Sequence, residues 1–172
     1  MSSQLEKEQL LEEWIRSHGT AILRVCFVSL WDAKEAEDAM QETFLKAWRA
    51  MDSYERRNGA GVRTWLNRIA VNVCRDMKRK AWFRHVDLHQ ALEELPQGVC
   101  SVMDEDRELL LDVMRLPDKY REPVLMYYYQ DMTLDETAEA LQVSRSTVHS
   151  RLRRAEAKLK RELGAEGRDC YV

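Results

Sequence analysis

Short hydrogen-bonding side chains followed by guanidinium groups run through the segment from Thr133 to Leu163, TLDETAEALQVSRSTVHSRLRRAEAKLKREL. Ser144, Arg145, Ser146, Thr147, His149 and Ser150 come first, and Arg151, Arg153 and Arg154 follow. Small polar groups at the start of a helix can reach base edges in a major groove, while later arginines hold phosphate oxygens. The order is therefore that of a duplex-reading helix. A solvated, arginine-rich helix packed on its neighbour is the plainer alternative.

A second set of residues suits a different form of nucleic acid. Arg68, Asn72, Arg75 and Arg79 stand four, three and four residues apart, which puts three cations and one amide on a single helix edge. Beyond them KRKAWFR, Lys78 to Arg84, interleaves charge with Trp82 and Phe83. Cations that follow a backbone beside aromatics on which bases stack are what a single strand requires. Trp82 and Phe83 could equally complete a core at a helix end. A third set, His85, His89 and Cys100, sketches three ligands of a metal site, but the spacing to Cys100 is irregular and no fourth ligand is evident. The expectation is no metal and no cofactor. Cys26 and Cys74 sit among apolar neighbours as small hydrophobes, Cys170 stands near the end of the sequence, and no CxxC pair or structural disulfide is expected.

The elements that must position these residues are helices. Leu134, Ala138 and Leu141 form one apolar stripe, Val148, Leu152, Ala155 and Leu159 another, and Ser144 between them is placed to cap the second helix. Upstream, the spacing predicts a helix over Leu5 to His18 stopped by Gly19, then an apolar helix over Thr20 to Trp31. Asp32 can cap a third helix with Ala36, Met40, Phe44, Ala47, Trp48 and Met51 inward; Gly59 to Gly61 breaks it. A fourth buries Val62, Trp65, Leu66, Ile69, Val73 and Met77 behind the arginine edge. After Arg107 to Leu116, Pro117-Asp118 interrupts, Pro123 is expected in the first turn of the next helix, and Val124, Leu125 and Tyr128 are expected in the core. Six glycines and three prolines in 172 residues favour an all-α protein.

Two small helical domains follow from this reading, over 1–85 and 106–172, joined by an acidic linker over 86–105 that contains Pro96 and Gly98. The formal charge of −3 hides a division along the chain. Residues 51–85 carry nine basic and three acidic side chains, residues 86–143 four and fourteen, and residues 144–172 eight and four. Two basic islands about an acidic segment imply two contacts with a polyanion, because phosphates feel the local field. The longest apolar stretches are too short and interrupted to span a bilayer, and Met1 to Leu11 is not signal-like, so a cytoplasmic protein without membrane insertion is expected.

Several long motifs in order give the chain a family resemblance, from about Trp14 to Leu163. It resembles the sigma-70 factors of bacterial RNA polymerase, and among them the extracytoplasmic-function (ECF) group that retains the second and fourth regions. The run from Asp38 to Trp48, DAMQETFLKAW, is similar to the family's polymerase-binding helix, which implies that Asp38, Gln41, Glu42, Leu45 and Trp48 face core RNA polymerase. RTWLNRIAVN, Arg63 to Asn72, is similar to the segment that melts and reads the −10 element. There Asn72 would hydrogen-bond a flipped base, with Arg68 and Arg75 on adjacent phosphates. LPDKYRE, Leu116 to Glu122, opens region four, and Thr133 to Arg154 is similar to its reader of the −35 element.

The resemblance implies a non-enzymatic initiation factor whose partners are core RNA polymerase, promoter DNA and an anti-sigma factor. Three places depart from the common pattern. Gln142 stands where glycine often makes the turn between the two helices, at a cost of about 1 kcal/mol if a positive φ is kept. Asp131 occupies another frequent glycine site and Tyr127 a frequent arginine site, which makes Tyr127 to Tyr129 an unusually aromatic run. Gly59 to Val62 lacks the usual aromatic before Arg63. Two rival readings are a dimeric helix-turn-helix regulator that acts without being a polymerase subunit, and a metal or thiol enzyme on His85, His89 and Cys100. The first leaves the Asp38 to Trp48 patch unused; the second lacks a base, an orienting carboxylate and a pocket together.

Overall fold

The computed structural model describes residues 3–55, 61–80, 93 and 107–165, and among them the only regular structure is helical. Contacts divide the chain into two compact units, Met1–Val102 and Met103–Val172. The all-α expectation holds. Of the acidic stretch 86–105, only Glu93 is described, helical and exposed; the rest, with Trp82, Phe83, His85, His89 and Cys100, lies outside the described residues, as does Cys170.

The first unit consists of α1 (Gln4–Leu30), α2 (Ala33–Arg49), α3 (Met51–Glu55) and α4 (Val62–Lys80). Ser3 and Glu6 start α1 with a reciprocal cap: the Ser3 hydroxyl accepts from the Glu6 amide at 3.2 Å, and the Glu6 carboxylate accepts from the Ser3 amide at 2.7 Å. Gly19 does not stop this helix, contrary to the sequence expectation; α1 continues through it for 27 residues. A mid-helix glycine costs roughly 1 kcal/mol, and burial of Trp14 on one side and Ile22, Val25 and Phe27 on the other outweighs that, since each large apolar side chain contributes about 1.5–3 kcal/mol. The helix ends at Trp31, in the left-handed region at φ 60°. Asp32 caps α2 as expected, accepting from the Glu35 amide at 2.8 Å.

The core of this unit joins α1, α2 and α4. Phe27, Ala36, Phe44, Ala47, Leu66, Ala70 and Val73 are buried there, and Trp14, Tyr54 and Trp65 form an aromatic knot with one stacked and two edge-to-face pairs at 4.8–5.7 Å. Cys26 and Cys74 are buried free thiols. Hydrogen bonding to Cys74, followed by burial, pushes the Cys26 thiol up.

The second unit consists of α5 (Arg107–Arg115), α6 (Asp118–Val124), a π-helical stretch over Leu125–Tyr129, α7 (Leu134–Leu141) and α8 (Arg145–Ala165). Leu116-Pro117 separates α5 from α6, as the sequence indicates. The buried Arg121 staples the two: its Nη1 donates to the Met114 carbonyl at 2.6 Å and its Nη2 to Asp118. Pro123 is not in the first turn of α6 but next to its last residue. Pro117 takes the capping position instead, and the amide missing at Pro123 breaks the regular ladder just where the backbone widens into π turns. The altered register also corrects an assignment within the core. Val124 and Leu125 are buried as expected, but Tyr128 turns outward and is 50% exposed, while Met126 is fully enclosed.

Asp131, at φ 51°, and Gln142, at φ 55°, both adopt left-handed backbone where glycine would be unstrained. At Gln142 the turn keeps the geometry a glycine would give. The amide of Gln142 bonds the Glu139 carbonyl at 3.2 Å and that of Val143 the Ala138 carbonyl at 3.0 Å, which closes the end of α7.

Candidate nucleic-acid interfaces

The start of α8 is set by Ser144, whose Oγ accepts from the Thr147 amide at 3.2 Å and lies 2.7 Å from Thr147 Oγ1 and 3.0 Å from Ser146 Oγ. The three hydroxyls are thus held together at the helix N-terminus. Val148, Leu152 and Ala155 face inward, against a core that includes Val113, Tyr120, Val124 and Ala138. Arg145, Ser146, His149, Ser150, Arg153 and Arg154 are exposed in consequence, and Thr147 and Arg151 are half-buried at the edge. Arg145 pairs with Asp135 of α7 at 3.5 Å, both ends solvated. Such a pair costs little to open.

Packing of α8 on α6 adds residues that the sequence reading missed. Arg154 hydrogen-bonds the Tyr120 hydroxyl, the largest of the causes that hold this phenol below its ordinary pKa. Lys119 and Lys158 stand over the same ring, 5.0 and 5.8 Å from its centre. Thr147, Arg151, Arg154 and Lys158 follow one another at spacings of four, three and four, so the edge of α8 leads directly to this cluster. Lys158 was one further step along a visible stripe. Lys119 carried no such signal, because it adjoins Tyr120 on α6 and only the packing of α8 brings Arg154 and Lys158 to that ring.

On α4, Thr64, Trp65, Leu66, Asn67, Ala70, Val71, Val73 and Cys74 are buried, which leaves the expected edge outward: Asn72 and Arg79 exposed, Arg68 and Arg75 half-buried. The two amides of this helix have separate fates. Asn67 is buried and donates to the Arg63 carbonyl at 2.9 Å, whereas Asn72 faces solvent. A carboxylate absent from the sequence reading also belongs to the edge: Asp76 accepts from Arg79 at 2.5 Å and lies 4.0 Å from Lys46 of α2. Near the start of α4, burial and then the charge of Arg63 hold His18 below its ordinary pKa.

Asp38, Gln41 and Leu45 of α2 are exposed, and Glu42 and Trp48 half-buried, on the side away from buried Ala36, Ala39, Thr43 and Phe44. Leu45 is 48% exposed, an apolar side chain among acidic and amide neighbours. No group of three metal-ligating side chains occurs among the described residues, and no described helix is long and apolar enough to cross a membrane.

Residues 14–84 match the family model for sigma-70 region 2, and residues 107–159 match that for sigma-70 region 4. The RNA polymerase sigma-E factor of Streptomyces coelicolor is 32% identical over 164 residues, 92% of this chain and 89% of that protein. The chain belongs to the sigma-70 family. Its relatives place it in the ECF group: the ECF RNA polymerase sigma factor SigW of Bacillus subtilis is 28% identical, covering 83% of this chain and 82% of the other. The solved structure of CnrH in complex with the cytosolic domain of CnrY matches with a TM-score of 0.70 and 26% identity, over 92% of this chain and 90% of that one. The sigma factor RpoE of Bartonella quintana, solved with the anti-sigma factor NepR, shares the fold at a TM-score of 0.66 and 20% identity, over 89% of this chain and 98% of the other. This ECF sigma factor therefore acts in transcription initiation, with region 2 on α1 to α4 and region 4 on α5 to α8.

Proposed function

We propose that this sigma factor holds core RNA polymerase through α2, captures an opened −10 strand along the α4 edge and reads the −35 element as duplex through α8. The observation that carries the reading is the presence, in a single family member, of two outward cationic edges with different neighbours. One contains an exposed amide at Asn72, and the other begins with clustered hydroxyls at Ser144, Ser146 and Thr147.

Asn72 can donate and accept toward one base edge, and Arg68, Arg75 and Arg79 supply charge for adjacent phosphates. Flipping a base out of the stack costs a few kcal/mol, which capture of the strand and polymerase contacts must offset. Free protein is therefore expected to bind promoter DNA poorly. On α8, Arg145, Ser146, Thr147 and His149 meet base edges, with Ser144 capping behind them, and Arg151, Arg153 and Arg154 meet phosphate. Lys119 and Lys158, beside Arg154 at Tyr120, extend the phosphate contact. Asp38, Gln41, Glu42, Leu45 and Trp48 form an acidic and apolar patch with an aromatic anchor, the composition of a protein interface. An anti-sigma factor that covers these faces, action in the cytoplasm, and the absence of any catalytic step or cofactor complete the reading.

Run-off transcription from a cognate promoter tests it. RNA synthesis is expected only when the chain and core polymerase are both present, and to fall in Asn72→Ala and Arg145→Ala. Tight operator binding by the free chain, with no polymerase-dependent transcription, would instead establish the dimeric regulator.

A further inference from the structure

The aromatic run at the end of the π stretch has no part in the promoter reading, yet it forms a built feature. Tyr127, Tyr128, Asp131, Met132 and Thr133 line an open recess of about 380 Å³. The rings of Tyr127 and Tyr128 meet edge to face, with centres 5.0 Å apart and planes at 88°. Tyr128 is fixed from behind, its hydroxyl donating to Glu156 of α8. Burial and then that carboxylate push the phenol up to about 12, so it remains a neutral donor.

Asp131 supplies the charge. It is exposed, and no hydrogen bond or ion pair from another described residue engages its carboxylate. Its backbone is held at φ 51° while the next amide, of Met132, bonds the Met126 carbonyl at 3.1 Å. Glycine would fit that backbone without strain, so the carboxylate stands at a position where folding alone favours no side chain.

Two tyrosines at right angles beside an unengaged carboxylate attract a cation, through the ring quadrupole and through charge. A phosphate would be repelled by Asp131 and Glu156, and a purely apolar group would leave the Asp131 carboxylate unused. The recess is also shallow and open, so a small free amine would keep much of its surface in water; a side chain delivered by a longer segment would not depend on this contact alone. We propose that the recess lined by Tyr127, Tyr128 and Asp131 receives an arginine or lysine side chain from a protein partner. The site is separate from the α8 base-reading residues, and the inference does not depend on the promoter reading.

The test uses the full chain labelled with 3-fluorotyrosine and observed by fluorine NMR, with Tyr127→Phe and Tyr128→Phe to assign the two signals. The probes are the peptide acetyl-Ala-Ala-Arg-Ala-Ala-amide and the same peptide with neutral citrulline in place of arginine. The arginine peptide is expected to shift both signals saturably in the millimolar range, and to bind roughly three- to tenfold more tightly than the citrulline peptide, as one cation–π contact and one ion pair at an exposed site suggest. Asp131→Gly is expected to remove most of that preference while melting no lower than the parent, since it relieves the left-handed backbone. Equal binding of the two peptides, an undiminished preference in Asp131→Gly, or no saturable shift would each overturn the proposal.

Discussion

α4 and α8 are both basic helices laid over an apolar stripe, but the groups beside their cations differ. On α4 the arginines are interrupted by an exposed amide, and Asp76 holds Arg79 while approaching Lys46 of the neighbouring helix. On α8 the first turn is a set of hydroxyls tied together by Ser144, and the later cations join Lys119 around the Tyr120 ring. On α4 one cation, Arg79, is held by a carboxylate and an amide stands within the row; on α8 the cations extend as a band. On the proposed reading, that contrast rather than the number of positive charges separates a surface for one extruded base from a surface for a duplex backbone.

The largest effects should come from the stripes beneath the two edges. Leu66→Ala in α4 and Leu152→Ala in α8 each remove a buried leucine side chain and are expected to cost about 2–5 kcal/mol. Hydrogen exchange resolved by helix would read this as faster exchange in the helix concerned. A loss under about 1 kcal/mol at either position would mean that the edge above it lacks a rigid base.

Base and phosphate contacts on α8 should then separate. Arg145→Ala is expected to cost roughly 1–3 kcal/mol and to relax preference at one base pair, whereas Lys158→Ala should weaken all sequences alike and lower the salt slope by about 1. Titration of holoenzyme with −35 duplexes over a range of salt would check both, and a sequence-specific loss in Lys158→Ala would erase the proposed division. A smaller gain, about 1 kcal/mol, is expected for Gln142→Gly, because the turn before α8 already has glycine-like geometry. Chemical denaturation would measure it; a destabilised variant would show that the Gln142 side chain is needed there.

The smallest effect belongs to the first unit. His18 is held below its ordinary pKa, so the unfolded chain binds the proton more readily. Stability of α1 and α4 should therefore decline as pH falls through about 6.5, and His18→Gln should flatten the decline. A parent that gains stability over the same interval would contradict the sign.

Much of this was legible in the residues. Repeats of three and four fixed the inner and outer faces of α4 and α8, and Asp32 and Ser144 announced the helix starts they cap. Where the reading failed, a tertiary term prevailed over a local signal. Gly19 reads as a stop, but core contacts on both sides carry α1 through it. Pro123 reads as a helix start, yet it falls at the end of α6, and the π register beyond it turns Tyr128 out of the core. Asp76 escaped notice because one of its partners, Lys46, lies on another helix, and Lys119 because the ring it stands over, that of Tyr120, meets Arg154 and Lys158 only through packing on α8; spacing along one helix does not report such neighbours.

The central claim is that the α4 edge engages an unpaired base while α8 engages paired ones. Holoenzyme binding to fork-junction promoter DNA, with an abasic site placed in turn at each position of the −10 non-template strand, tests it most directly. Asn72→Ala is expected to bind the intact fork more weakly than the parent and to lose that deficit at one abasic position, while the deficit of Arg145→Ala stays constant throughout. An Asn72→Ala deficit that is absent from the intact fork, or that persists at every abasic position, would contradict the account.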